Sequence, residues 1–94
     1  MKHWDDLPGA ELTLPGVADL ERGLLTTNAL LVLVAASRLR AAGLEIPFSP
    51  TSPDPEGALY RLLSIEDETT AHPRYLSLLR RLDSFARAAE SRVS

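Results

Sequence analysis

There is no cysteine in the chain. Disulfides, thiolate metal sites and thiol redox chemistry are therefore excluded, and nothing indicates an oxidising compartment. Histidine is almost as scarce. His3 and His72 are the only two, which limits both acid–base work near neutral pH and nitrogen ligation of a metal. Aromatic residues make up 5% of the chain, with Trp4 the single tryptophan. The longest apolar run, residues 29–36, has eight members. A membrane-spanning helix needs roughly 18, so no membrane partner is expected. The amino terminus, Met-Lys-His-Trp-Asp-Asp, lacks the basic-then-apolar order of a signal peptide, and a cytoplasmic location is the expectation by default. The five glycines are scattered and form no phosphate-cradling loop.

What is present is an ordinary globular balance: 45% hydrophobic and 24% charged residues over 94 positions. That is enough for one domain with one modest core. The core is expected at residues 29–36, Ala-Leu-Leu-Val-Leu-Val-Ala-Ala. A helix with no polar face over two turns must be covered on nearly every side. The β-branched Val32 and Val34 make a buried strand over 30–34 the rival reading, but length and alanine content favour helix. Thr26 or Thr27 caps its start, and Arg38, Arg40 and Gly43 suit its end.

The fold class expected is all-α: a small single-domain bundle of about four helices around this buried central helix. The helices fall over about 8–22, 27–42, 55–65 and 73–91, with a proline-rich loop over 44–54. In the first, Asp6 stands near the cap, Pro15 kinks or divides the helix, and Gly23 is a natural stop. In the loop, Pro47, Pro50 and Pro53 among serines favour extended chain, which Ile46 and Phe48 are expected to pin to the body. Asp54-Pro55-Glu56 is the strongest helix start: an acceptor at the cap, proline where no N–H is needed, and an acid near the positive dipole end. Thr69, Thr70 or His72 caps the last helix. There Tyr75, Leu78, Leu79, Leu82, Phe85, Ala86 and Ala89 share an arc of about 120° at 100° per residue.

Net charge is −3, unevenly distributed. Residues 1–73 carry five basic and eleven acidic side chains, a balance of −6, whereas 74–94 carry five basic and two acidic, a balance of +3. The last helix thus reads as a basic face on an acidic body. Its arginines, Arg74, Arg80, Arg81, Arg87 and Arg92, perform one of two jobs. They contact phosphates, or they lay their stems along the apolar stripe and hold their charge in water. The acidic overall character favours the second.

Catalytic and metal-ligating groups are sparse. His3 with Asp5 and Asp6 is a metal-binding set on paper, but their spacing imposes no coordination geometry. His72 with Glu66 or Glu68 would make a base; a helix cap is the simpler reading. The serines have no paired base. No catalytic, cofactor-binding or metal site is assigned, and the chain is expected not to be an enzyme. In general character it is similar to small helical accessory or antitoxin-like proteins. The leading expectation is an interaction module whose partner is another protein or a second copy. Its surface would be the last helix, with Arg74, Tyr75, Arg81 and Arg92 along one edge and Trp4 as a further anchor. Nucleic-acid binding through the same arginines is the alternative. Core status predicts that Leu31→Ala and Leu33→Ala each remove about 2–5 kcal/mol of stability.

Overall fold

The computed structural model describes residues 4–93, and its elements are α1 (Ala10–Glu21), α2 (Thr27–Val34), α3 (Ala36–Ala41), α4 (Pro55–Glu66) and α5 (Ala71–Val93). Among the described residues there is no strand. The chain is an all-α domain, as its sequence predicts.

α1 starts at Gly9 rather than at Asp6. Gly9 takes φ +82°, and a Cβ there would lie 2.5 Å from the Arg81 carbonyl oxygen, so the N-terminus of α1 sits directly on α5. Asp6 is not the cap; it accepts a hydrogen bond from Arg92 instead. Thr13, the one buried polar side chain among the described residues, donates to the Gly9 carbonyl at 3.1 Å and so leaves no unpaired hydroxyl. Pro15 lies inside α1 without dividing it. The carbonyl it leaves unpaired belongs to Glu11, an exposed residue. α1 ends as expected at Gly23, where the amides of Gly23 and Leu24 turn back to the Leu20 and Asp19 carbonyls.

Thr26 then joins two helices. Its hydroxyl accepts from the Ala29 amide at 3.2 Å, capping α2, and donates to Asp19 of α1 at 2.6 Å. α1 and α2 approach closely at Gly16. A Cβ at that position would collide with the Asn28 carbonyl and lie 2.7 Å from Val32 Cγ2. Ala29, Leu30, Leu31 and Val32 are consequently buried, enclosed by α1, α4 and α5.

The single helix expected over 27–42 is two. Ala35 leaves the helical region (φ −116°, ψ 22°), and its amide bonds back only three residues, to Val32. No proline or glycine marks the break. It re-aims the following turn so that Ala36 and Leu39 stay buried and Arg38 reaches α5. The cover of the apolar stretch also ends here: Leu33, Val34 and Ala35 are only half-buried.

The proline-rich segment is held by Leu44 and Ile46, both buried. Phe48 does not pin it; the ring is 80% exposed. Asp54 caps α4 by accepting from the Gly57 amide at 3.1 Å, and Leu59 and Leu63 carry its buried face. α5 packs against each of the other four helices. At 1.5 Å per residue its 23 residues run roughly 34 Å, close to the 39 Å long axis of the molecule. Ala71, Leu82, Phe85, Ala86 and Ala89 form its buried line, whereas Tyr75, Leu78 and Leu79 of the expected arc are half-buried.

Leu31→Ala is therefore expected to lower stability by about 2–5 kcal/mol in denaturant unfolding. Leu33→Ala, at a half-buried position, should cost less than about 2 kcal/mol. Gly16→Ala gains helix propensity but has no room against a backbone carbonyl, and should be net destabilising by about 1–3 kcal/mol.

Candidate functional site

The last helix reaches out to the rest of the chain through its charges. Arg74 pairs with Glu66 at 3.2 Å, Arg92 with Asp6 at 3.0 Å, and Arg81 with Glu11. Arg87 bonds Asp83 at 2.9 Å, the i,i+4 pair along the helix. Of the five α5 arginines, only Arg80 has no ion-pair partner among the described residues. Tyr75 donates to Glu56 at 3.4 Å and meets the Tyr60 ring edge-on at 5.3 Å. Burial first, then the Glu56 charge, pushes the Tyr75 phenol above its ordinary pKa, so it remains a donor. Trp4 lies 6.5 Å from Phe85, ring to ring. All five side chains singled out from sequence, Arg74, Tyr75, Arg81, Arg92 and Trp4, thus have intramolecular partners. They do not converge on one surface feature.

The densest cluster belongs to a residue read from sequence only as a helix-end cation. Arg38 of α3 donates to Asp83 at 2.8 Å and, through two nitrogens, to Glu90 at 2.9 and 3.0 Å. With Arg87 on its second oxygen, Asp83 is shared between two guanidiniums. The guanidinium bonds hold both carboxyls below their ordinary pKa and raise that of Arg38. Beside this cluster runs an open groove of about 390 Å³ with Leu33, Val34, Leu79 and Leu82 in its walls.

A second depression, of about 410 Å³, lies where α1 and α3 end. Leu44, Ile46, Pro47 and Phe48 line it with Arg40, and Glu21 and Glu45 stand at its border. Arg40 organises it. Its Nε donates to the Ile46 carbonyl at 3.1 Å and its Nη2 to the Pro47 carbonyl at 2.8 Å, while the guanidinium carbon sits 4.0 Å from the Phe48 ring centroid. The ring is thereby held from one side and open on the other.

His72 is exposed, with its ring 6.1 Å from Tyr60. Glu66, its suggested helper, is paired with Arg74. The His3, Asp5 and Asp6 set includes His3, which lies outside the described residues. Among the described residues no three histidines, aspartates or glutamates gather in a way that would hold a metal ion. Among them, too, no helix is long and apolar enough to cross a membrane.

What sequence reading missed is the Phe48 site. From sequence, Phe48 is expected to pin the loop to the body and Arg40 to suit the end of the helix dipole. The available signal was Pro47-Phe48-Ser49-Pro50, an aromatic flanked by prolines in a polar loop, where the fixed φ of proline restricts how the chain can turn inward. Comparison of the chain with protein-family models, with curated proteins and with solved structures yields no match.

Below the ordinary carboxylate range Asp83, Glu90 and Glu11 take up protons less readily folded than unfolded. Their contribution to stability is complete above about pH 5 and is lost as pH falls through their depressed folded values. Urea midpoints are therefore expected to drop between pH 6 and pH 3. In Arg38→Gln the drop should shrink, because Asp83 and Glu90 lose the guanidinium that lowers them. An equal drop in wild type and variant would remove Arg38 as the cause.

Proposed function

We propose that the chain is a non-enzymatic helical module that binds another protein, and that its recognition surface is the Phe48 depression. The observation that carries this reading is the state of Phe48: 80% exposed, and clamped by an arginine whose own donors are fixed on backbone carbonyls. Burying a phenylalanine side chain is worth about 1.5–3 kcal/mol, whereas an exposed cation–π contact returns about 0.5–1 kcal/mol. Intramolecular contact thus leaves most of the ring's burial energy unused. A ring already restrained loses little freedom on binding, which is the property of an interface anchor. Ile65 is equally exposed, but it lines neither of the two depressions, and single surface apolar residues are ordinary. Phe48 continues into the apolar wall formed by Leu44, Ile46 and Pro47.

The arrangement of the α5 arginines supports the same choice. With four of five engaged by carboxylates of this chain, contact with phosphates would require breaking those pairs.

The test is affinity purification of tagged wild type and Phe48→Ala from native lysate, each with and without nuclease. The expected outcome is a stoichiometric protein that survives nuclease with wild type and is weakened by about 2 kcal/mol or more, roughly 30-fold, with Phe48→Ala. The same partner at the same yield with both proteins would sink the assignment of the surface. Bound material lost on nuclease treatment would move function to nucleic acid.

A further inference from the structure

The border of the Phe48 depression is chemically one-sided. Glu21 closes α1 and Glu45 follows the buried Leu44, and both are exposed residues lining the same space. Among the described residues neither carboxylate has an ion-pair partner. Arg40, the cation lining the same space, is committed to the Ile46 and Pro47 carbonyls and to the Phe48 ring. The surface thus offers an incoming group an apolar wall with an open aromatic face, and two carboxylates free to accept.

We infer that the occupant is a basic, apolar segment of a different protein, in which Lys or Arg side chains flank a large apolar residue. This rests on the reading of the chain as a binding module. The apolar residue packs on Phe48 and the floor, and the cations meet Glu21 and Glu45 at the rim, where charge sets the choice of partner. A second copy of this chain is a poor complement. Six of its nine arginines are engaged within the fold, Arg38, Arg74, Arg81, Arg87 and Arg92 by carboxylates and Arg40 by the loop carbonyls, which leaves Arg22, Arg61 and Arg80 without an ion-pair partner among the described residues. A nucleic acid is repelled by the two rim carboxylates.

The experiment places a photoreactive group at the site. Phe48→p-benzoylphenylalanine is expressed in cells of the source organism, irradiated, and the cross-linked segment is sequenced by mass spectrometry. The expected result is one protein, joined through a segment that carries at least two Lys or Arg beside a large apolar residue. Yield should fall about tenfold in a Glu21→Lys/Glu45→Lys background. It should fall less, but in the same direction, with Glu21→Gln/Glu45→Gln, both backgrounds melting as the parent does. A cross-link to an acidic segment, to a second copy, or one unmoved by either background overturns this inference and leaves the binding-module reading standing. Absence of any protein cross-link at position 48 overturns both.

Discussion

A helical stretch without a polar face has to be covered, and the rest of the fold follows from how that cover is assembled. Residues 29–32 are inaccessible because α1 approaches at Gly16 without a side chain in the way, α4 brings Leu59 and Leu63, and α5 brings its buried line. Each of these contacts fixes a neighbour. The α1 approach places Asp19 against the Thr26 cap, so the helix that covers α2 also helps to start it. Local capping and tertiary packing reinforce each other, the consistency expected of a sequence that specifies one structure.

Cover runs out at Ala35, and there the helix breaks. A straight continuation would have needed a further layer beyond Leu33 and Val34. The chain instead bends so that the next turn leans on α5, where Arg38 replaces apolar contact by ion pairing with Asp83 and Glu90. These pairs are more than one-third exposed, so their role is chiefly to fix the direction of α3, and less to add stability. The direction of α3 in turn sets where Arg40 points, and Arg40 sets the loop. Its two bonds to loop carbonyls substitute for the regular hydrogen bonds that a proline-rich segment cannot make.

The legible features are those written in short-range chemistry. Asp54-Pro55, Thr26 and Gly23 act through groups within a few residues of themselves, and the structure uses each as its residue type dictates. The α5 stripe was legible because its period is set by the helix alone. What escaped depends on geometry between distant segments. The Gly9 start of α1 exists because the α5 backbone lies against it, so the nearer acid, Asp6, lost the position its type suggested. The Ala35 break has no local signal. Phe48 was misplaced because hydrophobicity says that a ring gains from burial, but not whether the loop can carry it inward.

The charge asymmetry is the feature whose meaning changes most. From sequence, an excess of +3 beyond residue 73 against −6 before it reads as a basic surface presented outward. In the fold the two sets meet: Asp6, Glu11 and Glu66 of the acidic part take Arg92, Arg81 and Arg74 of the basic part. Linear charge segregation thus describes two strips of one molecule that dock on each other. Sequence separations of 70 and 86 residues for two of those pairs explain why no window along the chain reveals them. The carboxylates that this docking leaves over include Glu21 and Glu45, and they border the Phe48 ring, which is 80% exposed. Free charge and exposed apolar surface are then found together at this depression, away from the helix that looked most available.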